Sequence, residues 1–328
     1  MRALFVDGGN PVIALPGQRK TERAFRALDL LVVIDPFMTA TARLAHYVLP
    51  PRMMLERHDL GSRDYEVHTM QRPYAQYAEP VLEPPEGAEL VDDWHVFYEV
   101  SRRLGTALTL DGVPLDMARR PSTEDLLRIL LREAAVPFDT LRAATRGQVF
   151  EVPSQAVEPA APGANARFEV APDDIVLELA TVSGESSDPS GGGFRLAVRR
   201  LRDVQNTMFH RLDEVRRRLP ANVACLHPED MRSLTLADGQ SVEIRSAHGA
   251  IRLPARADAT VRRQVVSVTH GWGDLLDDPD DSVFPSSPGV NVNLLTSADV
   301  RLDPINAMPQ LTGIPITVHP LEPAPPSE

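Results

Sequence analysis

The 328-residue chain holds a single cysteine, Cys225. One thiol excludes an intramolecular disulfide, a cysteine-rich zinc site and an all-cysteine iron–sulfur site within this chain. Cys225 lies in the apolar run NVACLHP, which suits a small buried thiol better than a nucleophile. Long apolar runs are also missing. Nothing approaches the roughly 18 consecutive apolar residues of a membrane span. The start, MRALFVDGGNPVIALPG, lacks the basic-then-apolar build and the cleavage site of a secretory leader, so a cytoplasmic location is expected. Net basic charge is absent too: 46 Asp and Glu against 34 Lys and Arg give −12. Nonspecific nucleic-acid binding needs a basic field, so that class is disfavoured. Two local basic clusters, Arg199, Arg200 and Arg202 and then Arg216, Arg217 and Arg218, suit either a solvated face or an anion site. The glycine signatures of dinucleotide and P-loop sites do not occur, nor do G-x-S-x-G or H-E-x-x-H. The nine histidines are scattered, with no pair at ligand spacing on a predicted helix.

What is present reads as a globular chain of about two domains, 43% hydrophobic and 24% charged. RALFV, residues 2–6, is a short strand running into Asp7-Gly8-Gly9-Asn10-Pro11. TERAFRAL, residues 21–28, reads as a helix with Thr21 as its N-cap. LDLLVVIDPF is a Leu/Val/Ile run suited to a strand buried on both faces, ending at Asp35-Pro36. TATARLAHYVL reads as a second helix reaching Pro50. This order implies parallel strands with right-handed crossovers, in which ligands gather at the carboxyl ends of strands. Further helices are predicted over residues 93–105, where DWHVFYEVSRRLG ends on glycine, and over 123–135. PSQAVEPAAPGANA and SGESSDPSGGG are linker-like and flank the apolar segment DIVLELATV. HPEDMRSL opens a helix with Pro228, followed by acidic residues that complement its dipole. SVEIRS, AIRLPARA and VVSVTHG then read as strands between tight turns, the pattern of a small β-barrel. The tail is expected to be disordered.

Three places could hold chemistry. The GGNP turn and the DPFMT turn fall at adjacent strand ends, where backbone amides can meet phosphate and Asp35 can accept from a base or ribose. RRLRDVQNTMFH, residues 199–210, combines arginine, asparagine, threonine and histidine, suiting either a ligand rich in donors and acceptors or a polar surface. THGWG, residues 269–273, puts His270 at a strand end as a base, a ligand or a structural hydrogen-bonding group. Downstream, Asn291 and Asn293 alternate with apolar residues, so an extended segment would turn both amides to one face.

In this order, GGNPVIALP, VVIDPFMTATARLAHYVLP with LERHDL, DWHVFYEVSRRLG, the HPEDMRSL-to-PARA stretch, HGWG and VNVNLLTS resemble the molybdopterin oxidoreductase family of formate dehydrogenases, periplasmic nitrate reductases and dimethyl sulfoxide reductases. Residues 106–190 carry none of the likeness. The resemblance implies a fold class of α/β plus β. Residues 1–105 would be a partial parallel-sheet α/β domain with a trailing helix. Residues 106–191 would be helical and linker sequence, 192–320 a double-psi β-barrel that binds the dinucleotide, and 321–328 a tail.

It further implies a bis-molybdopterin guanine dinucleotide cofactor carrying molybdenum or tungsten. Gly9, Asn10 and Pro11 would approach one dinucleotide, with Asp35 and Thr39 near its guanosine end. Arg199, Asn206, Thr207, His210, His270, Asn291 and Asn293 would lie in cofactor-facing segments of the barrel. The chain departs from the family at Ala45-His46-Tyr47, where Ala-Asp is usual, and at Gln264, where glycine is common. Family members also carry a domain, often with an iron–sulfur cluster, and another that supplies the metal's protein ligand; both are expected on a partner chain. The reading is therefore of a C-terminal portion that grips the cofactor and performs two-electron redox chemistry only with that half. The alternative is a non-catalytic cofactor-binding or interaction protein. As a C-terminal portion, the chain would expose apolar faces of helices 93–105 and 123–135 that are normally covered by the missing domains.

Overall fold

The computed structural model describes residues 1–60, 67, 70–152, 159–165, 169–184, 193–210, 212–276 and 288–322. Most of the second predicted linker and residues 323–328 of the tail lie outside that set. The chain is mixed α/β, with a parallel sheet and a closed six-stranded barrel. It opens with β1 (Ala3–Asp7), α1 (Pro11–Ala14), α2 (Gln18–Arg26) and β2 (Leu30–Ile34), then a 3-10 turn over Ala42–Leu44 and β3 (Tyr47–Leu49). The three strands pair in the order β1-β2-β3, and Leu31, Val32, Val33 and Ile34 are buried as the apolar run requires.

Two local expectations are corrected here. Thr21 does not cap α2. Gly17 stands at the N-cap with φ 73°, and the Thr21 hydroxyl donates back to the Gly17 carbonyl at 3.4 Å inside the first turn. The helix predicted up to Pro50 shrinks to the 3-10 turn, because Ala45 leaves it in an extended conformation. His46 then straddles Leu31: its N–H donates to the Leu31 carbonyl at 2.8 Å, and its Nδ1 accepts from the Leu31 N–H at 2.9 Å. With that register set, the β-forming Tyr-Val-Leu continues as a strand. His46 thus works as a hydrogen-bond acceptor for the sheet backbone.

The chain divides into two compact units, residues 1–33, 38–47 and 167–328 in the first and 34–37 and 48–166 in the second. The second holds α3 (Asp93–Arg103), α4 (Thr123–Leu130) and α5 (Phe138–Arg142). Its core gathers Val67, Tyr77, Leu131, Val136, Phe138 and Leu141. Ser122 and Asp125 close a capping box at the start of α4, which stops well short of residue 135. The apolar side chains of α4 are half-buried rather than exposed, whereas α3 exposes Phe97.

In the first unit α6 (Asp173–Gly184) shows apolar residues on every side, Leu177 and Leu179 being 71% and 60% exposed. The barrel follows: β4 (Phe194–Arg199), α7 (Asp213–Arg218), β5 (Ala224–Leu226), α8 (Pro228–Ser233), β6 (Ser241–Arg245), β7 (Ala250–Ala257), β8 (Val265–Thr269) and β9 (Ile314–Pro320). It closes in the order β4-β8-β5-β7-β6-β9, with the β4–β8 and β5–β7 ladders parallel. Alternation in AIRLPARA sends Ile251, Leu253 and Ala255 inward, where they meet Leu226, Val242, Ile244, Val266 and Val268. That period-2 burial is what fixes the register. Gln264 sits at φ 60° just before β8. Its N–H donates to the buried Asp230 carboxylate at 2.7 Å, which holds the unfavourable backbone in place.

Candidate functional site at the barrel rim

Strands β4 and β8 run parallel with Arg199 opposite Thr269, and the His270 N–H donates to the Arg199 carbonyl at 3.1 Å. Both strands therefore deliver their last residues to one end of the barrel. The chain then turns through His270-Gly271-Trp272-Gly273, with both glycines at φ 88°. A Cβ on Gly271 would stand 1.7 Å from the Asn206 carbonyl oxygen, and one on Gly273 would stand 2.6 Å from the Asn291 nitrogen. Only glycine permits these approaches. The HGWG loop is thus the place where the 199–210 segment and the 291–293 segment meet.

This rim concentrates polar atoms without partners among the described residues. The Nε of Arg199, the Oγ1 of Thr269, the Nδ1 of His270 and the Nε1 of Trp272 are all buried and unbonded. Neither ring nitrogen of His210 makes a well-formed hydrogen bond either. Its ring packs edge-on against Trp272 with centroids 4.2 Å apart. Burial lowers the His210 pKa, although the backbones of Asn206 and Gly271 partly offset this. Burial drives His270 down further, to about 4, and the Arg200 charge adds to the shift. Both imidazoles are therefore neutral near pH 7, each able to donate through one nitrogen and accept through the other. An unsatisfied buried polar group costs on the order of 1–3 kcal/mol, so five residues carrying them at one rim call for an explanation. A polar ligand rich in donors and acceptors fits them.

Other residues singled out in the sequence have their polar atoms engaged elsewhere. The Arg199 Nη1 pairs with Asp258 at 3.2 Å and its Nη2 reaches the Cys225 sulfur at 2.8 Å. Burial raises the pKa of Cys225, so this thiol is packing, as its apolar run suggested. The Asn206 Oδ1 accepts from Arg200, and Thr207 is half-buried in the following turn. Asn291 and Asn293 do not lie on an extended segment. Asn291 caps the 3-10 turn Val292–Leu295, where its Oδ1 accepts from the Asn293 N–H at 2.9 Å. Both side-chain amides then donate to the Ile13 carbonyl, at 3.3 and 2.8 Å. This clamp ties α1 to the barrel.

Asn10 is used in a similar way. Its Oδ1 accepts from both the N–H and the hydroxyl of Thr41, and the Thr41 oxygen accepts from the Val12 N–H. Pro11 begins α1, and Gly9 is half-buried beside it. The left-handed residue of the GGNP turn is Gly8, at φ 58°. Thr39 accepts through Oγ1 from the Ala42 N–H at 3.2 Å, opening the 3-10 turn. Asp35 belongs to the second unit, where its Oδ1 accepts from the Phe37 N–H at 2.8 Å. Sequence reasoning missed the roles of Thr269, Thr41 and Asn222, the last bracing the backbone of Val290 by two hydrogen bonds. For Thr269 there was a signal, since it ends a strand directly before His270.

Residues 1–103 match the family described as molybdopterin oxidoreductase, and residues 194–315 match the molydopterin dinucleotide binding domain. The chain belongs to the molybdopterin oxidoreductase family. Among curated proteins, acetylene hydratase of Syntrophotalea acetylenica is 24% identical over 330 residues, 95% of this chain and 43% of that protein. F420-dependent formate dehydrogenase 1 subunit alpha of Methanococcus maripaludis is 20% identical over 81% of this chain and 38% of its own length. Probable oxidoreductase YyaE of Bacillus subtilis reaches 34%, over 31% of this chain and 14% of its own length. The solved structure of acetylene hydratase from Pelobacter acetylenicus superposes with a TM-score of 0.67 at 20% identity, over 98% of this chain and 44% of that one. This family member thus spans less than half the length of these relatives.

Proposed function

We propose that this chain binds molybdopterin guanine dinucleotide at the rim of its barrel, in the bis form used by metal-carrying members of the family. The observation that carries the reading is the set of unbonded polar atoms on Arg199, His210, Thr269, His270 and Trp272 around the HGWG loop. Their donors and acceptors suit a guanine base and a pterin, which present both kinds of group on their edges. When bound, the cofactor supplies molybdenum or tungsten able to exchange two electrons with a substrate. The protein's own part is to orient it: Thr269 and the neutral imidazoles hydrogen-bond the heterocycle, and Trp272 walls it from water. Asn291, Asn293 and Asn10 hold the frame, with Gly9 and Pro11 at the adjacent strand end. In this reading residues 192–320 form a double-psi barrel.

The catalytic unit would be completed by an iron–sulfur and metal-ligand half supplied by another chain in the cytoplasm. No group of three or more metal-ligating side chains occurs among the described residues, and none of their helices is long and apolar enough to cross a membrane. A second reading has one observation in its favour. The relative matching 95% of the chain is named a hydratase, so the completed enzyme would add water rather than move electrons.

The test is to purify the chain from a host that makes the cofactor, alone and with a co-expressed N-terminal half. Oxidised extracts are then assayed for the fluorescent pterin derivative and for metal. Stoichiometric pterin that disappears in Thr269→Val supports the site. Pterin-free protein under both conditions overturns it.

A further inference from the structure

The second unit contains a cavity of about 660 Å³ that takes no part in the reading above. Its wall includes Arg52, Arg57, Arg120, His58, His95 and Trp94. Two helices begin on it, since Asp92, Trp94 and His95 open α3 while Ser122, Thr123 and Glu124 open α4. The carboxylates nearby already have cations or donors of their own. Asp92 lies 3.7 Å from Arg52, Asp93 accepts from Arg57 at 2.7 Å, and Glu124 pairs with Arg142 at 3.2 Å. Glu56 turns its Oε2 to the Met53 N–H at 2.9 Å. Arg120 is different: its Nη1 meets only the Nε2 of His95, at 3.0 Å, and it faces no carboxylate at ion-pair distance among the described residues. Its charge is left for something else, and the remaining arms of its guanidinium fork are free to donate.

The rest of the wall is held in position. Tyr77, fully buried, bonds the His58 Nδ1 at 2.7 Å and the Glu124 Oε1 at 3.2 Å, and its ring stacks on His58. Trp94 donates from its indole to the Thr123 hydroxyl at 3.3 Å, fastening one helix start to the other. The Asp92 side chain makes no capping bond to α3, so the first amides of that helix keep no side-chain acceptor.

We propose that this cavity is a second ligand site, taking the oxyanion group of a small molecule on Arg120. The shared chemistry is a phosphate or a carboxylate, which a guanidinium fork binds through paired hydrogen bonds. This does not depend on the cofactor reading, because no residue of the barrel rim contributes to it.

The test is isothermal titration calorimetry of the full chain with inorganic phosphate and, separately, with succinate, at fixed ionic strength. The expected result is saturable binding of at least one probe, weakened about tenfold or more by Arg120→Ala. Arg103→Ala, which removes a cation 75% exposed on the other end of α3, is expected to bind like the parent chain. Arg120→Gln, which keeps a polar stem without charge, is expected to lose binding while melting like the parent chain. Which probe binds identifies the head group. No saturable binding of either probe, or equal weakening by Arg103→Ala, would overturn the proposal.

Discussion

Two sets of polar residues stand out in the first unit, and they behave in opposite ways. Asn10, Asn291 and Asn293 have their side chains occupied by the protein itself, through the Thr41 group and the Ile13 carbonyl. Thr269, His270 and Trp272 hold buried atoms that nothing in the described chain satisfies, and neither ring nitrogen of His210 makes a well-formed hydrogen bond. The first set resembles a ligand-binding set in composition but is bonded within the protein; the second is the set proposed above to meet the ligand. Residue type alone does not separate them, because an amide and a neutral imidazole each offer both a donor and an acceptor. Their hydrogen-bond partners do.

The comparison can be broken by substitution. The largest effect is expected at the junction itself. Gly271→Ala forces a Cβ to 1.7 Å from the Asn206 carbonyl at φ 88°, so one backbone must move. A loss of about 3 kcal/mol or more is expected in denaturant unfolding, with pterin lost as well. Asn293→Ala leaves the buried Ile13 carbonyl short of a donor and is expected to cost about 1–3 kcal/mol. Thr269→Val should do the reverse. It removes a buried hydroxyl that has no partner, so stability should stay level or rise slightly while bound pterin falls.

Acidification gives a finer test. The pKa of His270 lies near 4 in the folded chain against 6.5 as the ordinary value. Below pH 6.5 the unfolded chain takes up a proton that the folded chain refuses, so stability falls as pH drops from about 6.5 towards 4 and then levels off. Linkage puts this at about 2 kcal/mol between pH 7.5 and 5, and His270→Gln should remove that part of the slope. Denaturation curves of both proteins at several pH values would show it. A small effect is expected at Gln264, whose φ of 60° glycine adopts without strain. Gln264→Gly should raise stability by about 0.5–1 kcal/mol, read as a higher denaturation midpoint.

Much of the barrel was legible in the sequence. Strict alternation in AIRLPARA and SVEIRS has one physical solution when one face must be buried, and β6 and β7 adopt it. The glycines of HGWG also signalled close backbone approach, although not which backbones approached. Legibility failed where one residue's partner lay far along the chain. YVL became a strand because His46 bridges Leu31, a tertiary pairing that its helical-looking neighbourhood hides. Asn291 and Asn293 alternate as a strand would, yet the 3-10 turn wins because both amides find Ile13, some 280 residues away. DIVLELATV, placed among linkers, forms most of the exposed helix α6. The place of Thr269 at a strand end is legible in the sequence, but that its hydroxyl lacks a partner shows only once its surroundings are built.

The central claim is that the unsatisfied rim, rather than the asparagine frame, receives the dinucleotide. It is tested most directly by measuring pterin content and unfolding free energy together in Thr269→Val and Asn293→Ala. Thr269→Val is expected to lose pterin at unchanged stability, and the folded fraction of Asn293→Ala to keep pterin at reduced stability. Thr269→Val protein that retains its full pterin content would contradict it.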